Sequence, residues 1–144
     1  MIDRDRLLDA YERDAFYALQ LEVGDRCQQG CVYCYMNAVP EGANTLSDEK
    51  IRSVLAQASE AGFTAIEWLG GEPLLRESIF EQMAFAAGLG LRNNVWTGGL
   101  PLSHPRVAAR CAEYTTSGLI SVHVPTVDPE VYARLHPQRP VSDL

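Results

Sequence analysis

The sequence predicts an α/β fold built on a parallel sheet, and three observations carry that expectation. Segments with apolar residues at every second position alternate, about four times, with segments whose apolar residues recur at helical spacing. The joins are short enough for each helix to carry the chain between neighbouring parallel strands. Glycine, proline and aspartate gather at those joins, where a turn or a cap needs them.

Taken in order, Asp5–Ala15 places Leu7, Leu8 and Tyr11 at helical spacing and predicts a short helix. Phe16–Val23 is the first strand, with Tyr17, Leu19, Leu21 and Val23 out of phase with Ala18, Gln20 and Glu22; Gly24-Asp25 ends it. A helix then starts near Ser47, a good N-cap, with Ile51, Val54, Leu55 and Ala58 on one face and Gly62 at its C-terminal end. Thr64–Leu69 is the second strand, closed by Gly70-Gly71-Glu72-Pro73. The next helix, Glu77–Ala87, has Ile79, Phe80, Met83 and Ala87 as its expected buried stripe. Gly88 and Gly90 lead into the third strand, Leu91–Thr97. Pro105–Tyr114 is a helix with Val107, Ala108 and Cys111 on one side, and Gly118–Val124 is the fourth strand. Asp128-Pro129-Glu130 opens a further helix, with Asp as N-cap and Pro at the first helical position. Four βα units are half of an eight-stranded barrel, so the pattern reads as a truncated, partial (β/α) barrel.

The alternation also divides the sheet into two faces. If the apolar set packs under the helices, including Ile120, Val122 and Val124 of the fourth strand, the other face collects Gln20, Glu22, Glu67, Ser121 and His123. A purely structural barrel fills its inside with Val, Ile and Leu. A polar inner face points to a lumen that holds a polar ligand, and an open sheet with one wet face is the simpler alternative.

Composition sets limits. The 144 residues are 47% hydrophobic, enough for the core of one domain and too much for a disordered segment. A net charge of −7 without a Lys/Arg patch argues against a protein that grips nucleic acid through phosphates. No stretch approaches the roughly 20 apolar residues that cross a bilayer. The charged Met1–Arg6 start is followed by no apolar signal core, which predicts a cytoplasmic protein.

Of four cysteines, three fall at Cys27, Cys31 and Cys34, and Cys111 stands alone. In a reducing compartment such a group binds metal or does redox chemistry more often than it forms disulfides. The spacing Cys-x3-Cys-x2-Cys lets three thiolates take three irons of a cubane and leaves the fourth iron open, with Gly30 allowing the loop to fold back. A structural zinc site is the competing reading. It needs a fourth ligand from Cys111, His104, His123 or His136, while reactive thiols at Cys31 and Cys34 are a third. The loop's position after the first strand, with Gly70–Pro73 in the same place after the second, favours the open cluster, since α/β folds gather their sites there.

These two motifs, in this order, resemble those of the radical S-adenosylmethionine (SAM) superfamily, and the similarity runs from Phe16 onward. Tyr33 just before the last cysteine, the Gly70-Gly71-Glu72-Pro73 element, Thr97-Gly98-Gly99 and Ile120-Ser121-Val122-His123 all have counterparts there. His123 stands where that family usually has Asp, and Thr97-Gly98 lacks its usual Asn. The resemblance implies residues 1–15 as an N-terminal helical extension and residues 16–144 as the N-terminal part of a radical SAM core domain. It implies a 4Fe–4S cluster on Cys27, Cys31 and Cys34, with SAM chelating the fourth iron. Gly70, Gly71, Glu72 and Pro73 would meet the methionine ammonium, Tyr33 would line the adenine, and Ser121 is a candidate for the SAM carboxylate or ribose. The implied activity is reductive cleavage of SAM to a 5′-deoxyadenosyl radical for hydrogen abstraction. Its partners would be a flavodoxin- or ferredoxin-like electron donor and a peptide or small-molecule substrate. A non-catalytic zinc or iron–sulfur module is the alternative, and Cys111 reads as buried packing.

Overall fold

The computed structural model describes residues 4–43 and 45–137. The first three residues of the charged N-terminal segment, Asn44 and the last part of the expected core domain, 138–144, lie outside the described residues.

The elements follow in the expected order: helix α1 (Arg4–Glu12), strand β1 (Ala18–Glu22), α2 (Asp48–Glu60), β2 (Ala65–Leu69), α3 (Ile79–Gly88), β3 (Arg92–Thr97), α4 (Pro105–Tyr114), β4 (Leu119–Val122) and α5 (Pro129–Leu135). The four strands form one parallel sheet in the order β1-β2-β3-β4. No helix among the described residues is long and apolar enough to cross a membrane.

Capping chemistry sets the helix starts. The Ser47 side chain accepts from the Lys50 amide at α2, and Asp128 accepts from the Glu130 and Val131 amides at α5, behind Pro129 at its first turn. Such a cap contributes about 1 kcal/mol. Gly62 follows α2 with φ +85, the left-handed conformation that suits glycine after a helix end.

Register puts Leu19, Leu21, Ile66, Trp68, Asn93 and Val95 on one face, in cross-strand neighbourhood. With Ile51, Leu55, Ile79, Phe80, Met83 and Ala86 from α2 and α3, the apolar members of that face make the core. Trp68 is its largest side chain, fully buried, and its indole N–H donates to Asn93 Oδ1 at 2.7 Å. Asn93 in turn donates to the Met83 and Tyr114 carbonyls, so this buried amide ties the sheet to α3 and α4. Removing the Trp68 ring would cost about 3–5 kcal/mol.

Three expectations need correction. The buried stripe of α3 uses Ala86 and Gln82, and Ala87 is exposed. Seven residues span nearly two helical turns, so Ala86 falls back over Ile79, whereas Ala87 is rotated past the seam. The expected packing of the β4 apolar set under the helices does not occur: Ile120, Val122 and Val124 are exposed. Strand β4 is one of the two edges of the sheet, and the helix that follows it turns towards the cysteine loop and leaves it uncovered. The strands are also shorter than the periodicity suggested; Phe16, expected at the start of β1, stacks on Phe63 with ring centroids 4.6 Å apart.

Candidate functional site

The polar face of the sheet and the loops beyond the strand C-termini enclose the site. A cavity of about 270 Å³ brings together Cys27, Cys31 and Cys34, Tyr33, Gly70 and Gly71, and Ser121 and His123. Every expected cofactor residue except Glu72 and Pro73 lines it.

The cysteine loop is held by its own backbone. The Cys27 amide donates to Val39 O at 3.0 Å and the Cys34 amide to Cys31 O at 3.2 Å, while Gly30 turns the chain with φ +65. Backbone N–H groups also point at the sulfurs: Gln29 N lies 3.4 Å from Cys27 Sγ and Ala38 N lies 3.4 Å from Cys34 Sγ. Such bonds stabilise thiolates and tune a bound cluster. As free thiols, Cys27 and Cys31 are pushed above the ordinary cysteine value, chiefly by burial and in part by the neighbouring sulfurs. A cationic centre shared by the three would reverse that, because metal coordination deprotonates a thiol.

The Gly70-Gly71 turn is stapled to this loop. Gly71 N donates to Gly24 O and Glu72 N to Arg26 O, both at 2.8 Å. The approach admits no side chain: a Cβ on Gly71 would lie 2.3 Å from Arg26 O, and one on Gly70, where φ is +131, would lie 2.5 Å from Gly24 O. Beyond the turn, Pro73 and Glu72 run inward. Pro73 is fully buried, and the Glu72 carboxylate accepts from Thr97 Oγ1, from Gly98 N at 2.9 Å and from Leu74 N at 3.1 Å. Burial raises the Glu72 pKa, and these donors pull it back.

The sheet face opposite the core carries Gln20, Glu67, Asn94 and Ser121, as the alternation predicted, but mixes them with the exposed Trp96. Glu67 accepts from Asn94 Nδ2 at 2.7 Å and from Trp96 Nε1. Trp96 and Ser121 line both the cysteine cavity and a second cavity of about 390 Å³, whose far side is made by Gln20, Tyr17 and Leu7 of α1.

Helix α5 arrives from above. Val32 N donates to Leu135 O at 3.0 Å, Gln29 Nε2 donates to Tyr132 Oη at 3.2 Å, and the Tyr33 hydroxyl lies 3.3 Å from His136 Nε2. The same hydroxyl lies 2.9 Å from His123 Nε2. Desolvation, with the Cys31 sulfur adding to it, pushes the Tyr33 pKa up to about 12, so the group keeps its proton. Nothing in the sequence singles out Gln29 or Tyr132, and His136 stands out there only as a candidate zinc ligand. No spacing signal marks them, because their partners lie about a hundred residues away along the chain.

Three thiols on one loop could each take a different iron of a cubane. Among the described residues no group of three or more His, Cys, Asp and Glu side chains is arranged around one metal ion. A cubane does not ask for that, since each thiolate takes a different iron. Of the candidate fourth zinc ligands, Cys111 is fully buried in the core, His123 and His136 are on Tyr33, and His104 is exposed at the start of α4 and is not among the residues that line the cavity. Glycine-lined backbone beside the sulfurs, and a buried Gln29 Oε1 with no partner among the described residues, fit a ligand rich in donors next to the three thiols.

Comparison with known proteins identifies the family. The model of the radical SAM superfamily matches residues 21–143. The chain is 30% identical over 121 residues to a probable GTP 3′,8-cyclase of Methanothermobacter marburgensis, covering 83% of this chain and 39% of that protein. It is 32% identical over 121 residues to the PqqA peptide cyclase of Rhizobium meliloti, covering 82% of this chain and 31% of that protein. It thus spans well under half the length of these relatives. Among solved structures, Streptococcus suis SuiB bound to S-adenosylmethionine has the same fold, with a TM-score of 0.69 at 18% identity over 92% of this chain and 31% of that one.

Proposed function

The chain belongs to the radical SAM superfamily, and from that premise we propose that it is the part of a radical SAM enzyme that holds a 4Fe–4S cluster on Cys27, Cys31 and Cys34 and binds SAM beside it. The observation that carries this reading is the double backbone staple, Gly71 N to Gly24 O and Glu72 N to Arg26 O, which sets the Gly-Gly turn against the cysteine loop in one cavity.

The chemistry these groups supply when bound is one-electron reductive cleavage of SAM to methionine and a 5′-deoxyadenosyl radical, which takes a hydrogen atom from the substrate. The chain's own residues bind, orient and exclude water. Cys27, Cys31 and Cys34 hold three irons, with the Gln29 and Ala38 amides bracing two of the sulfurs. The carbonyls of the Gly70-Gly71 turn receive the methionine ammonium. Glu72 serves from behind, holding Thr97 and Gly98 against the turn, and buried Pro73 anchors the segment. Tyr33 offers an aromatic wall to the adenine, and Ser121 a hydroxyl to the carboxylate or ribose. The electron comes from a cytoplasmic donor of flavodoxin or ferredoxin type. The names of the relatives point to a nucleotide in one case and a peptide in another, so the substrate is a small molecule or peptide received over the sheet face that carries Gln20, Glu67, Trp96 and Ser121.

Anaerobic reconstitution of the full-length protein tests the reading. It should yield a brown protein whose reduced-state electron paramagnetic resonance spectrum changes on adding SAM. Failure to take up iron, or uptake undiminished by Cys31→Ala, would refute it.

A further inference from the structure

One side chain of the cavity has its orientation fixed from two distant parts of the chain. The Tyr33 hydroxyl lies between His123 Nε2, at the end of β4, and His136 Nε2, just after α5. Both imidazoles meet the Tyr33 ring edge to face, at centroid distances of 5.8 Å and 6.0 Å.

The proton positions follow from the remaining contact. His136 Nδ1 lies 3.2 Å from the Tyr132 carbonyl, and a carbonyl only accepts, so Nδ1 carries the proton. In the neutral ring Nε2 is then bare and accepts from the Tyr33 O–H. The Tyr33 oxygen is left to accept from His123 Nε2–H. His123 thus donates to the Tyr33 oxygen, and the Tyr33 O–H is shared between His136 Nε2 and the Cys31 sulfur.

Tyr33 is otherwise a half-exposed side chain on a loop, within hydrogen-bond reach of the Cys31 sulfur alone, and costly to immobilise when a ligand arrives. We infer that His123 and His136 are positioning residues: they hold the Tyr33 ring in the orientation that meets the cofactor, which couples cofactor binding to the β4–α5 unit. The inference rests on the proposed SAM site. It gives a role to His123, the residue that departs from the family's usual Asp.

The test is a double-mutant cycle on SAM affinity, measured by equilibrium dialysis of labelled SAM against the anaerobically reconstituted full-length protein, with iron content as a control. His123→Ala should weaken binding about three- to tenfold, the loss expected for one hydrogen bond. It should add nothing in a Tyr33→Phe background, where the hydroxyl is already gone. His123→Gln, which keeps an N–H donor, should stay within about twofold of wild type. An equal loss in both backgrounds, or no loss in either, would overturn the positioning role while leaving the SAM site intact. A wild-type protein that retains its cluster but no SAM would overturn both.

Discussion

Thr97 Oγ1 lies 2.9 Å and 2.8 Å from the two oxygens of Glu72, and it accepts from Gly99 N at 3.0 Å on its other side. A hydroxyl at the end of β3 thus binds the carboxylate that follows the Gly-Gly turn of β2. Both groups are nearly out of solvent, Thr97 4% and Glu72 4% exposed. The pair fixes one loop of the cavity to the next.

Thr97→Val keeps the shape and removes the donor. Leaving a buried carboxylate short of a partner costs about 1–3 kcal/mol. The variant should show that loss in urea denaturation and weaker SAM binding with unchanged iron content. Unchanged stability would mean that the Glu72 contact contributes little.

The staple between the glycine turn and the cysteine loop predicts a sharp contrast between two alanine substitutions. Gly71→Ala forces a methyl group into backbone 2.3 Å away, where nothing can rotate aside. It should cost at least about 1–3 kcal/mol of overpacking and reduce iron uptake. Gly88→Ala, at the last position of α3 with no atom within 4 Å of the added carbon, should be neutral or stabilise by about 0.4–1 kcal/mol. Equal effects on denaturation would contradict the geometry.

Glu72 also predicts a pH dependence. Its pKa is raised in the folded protein, first by burial, so the folded state holds the proton more tightly than the unfolded chain does. That contribution is complete below the ordinary glutamate value of 4.5 and is lost as the pH rises from there through the folded-state value. Glu72→Gln removes the titration. The urea midpoint of wild type minus that of the variant should therefore fall from about pH 4 to about pH 7, whatever the constant offset between them. A flat difference would show that the carboxyl titrates as it does in the unfolded chain.

Cys111 separates the cluster from a four-ligand zinc site. It is fully buried in the core, and burial pushes its thiol up to about 11. Cys111→Ala should leave reconstituted iron unchanged and cost about 1 kcal/mol in packing. Loss of one ligand's worth of metal affinity in that variant would restore the zinc reading.

Much of this protein is set by local pattern. Period-two alternation in β1 and β2 tells Leu21 and Trp68 from Gln20 and Glu67, because successive side chains on a strand must point to opposite faces. Ser47 and Asp128 mark helix starts because a side-chain oxygen three or fewer residues away can satisfy the first free amides. The cysteine spacing is likewise local chemistry, three sulfurs on one loop.

The partnerships between distant polar groups were decided by the tertiary structure alone. Thr97 and Glu72, Trp68 and Asn93, and Tyr33 and His136 meet only because parallel crossovers lay separate strands and helices side by side. No periodicity records such a meeting, since hydrogen-bond partners are chosen by position in space. The exposed apolar side of β4 has the same origin. Its alternation is as regular as that of the buried strands, but burial also needs an element laid against it, and α5 is drawn to the cysteine loop by Gln29, Val32 and Tyr33 instead.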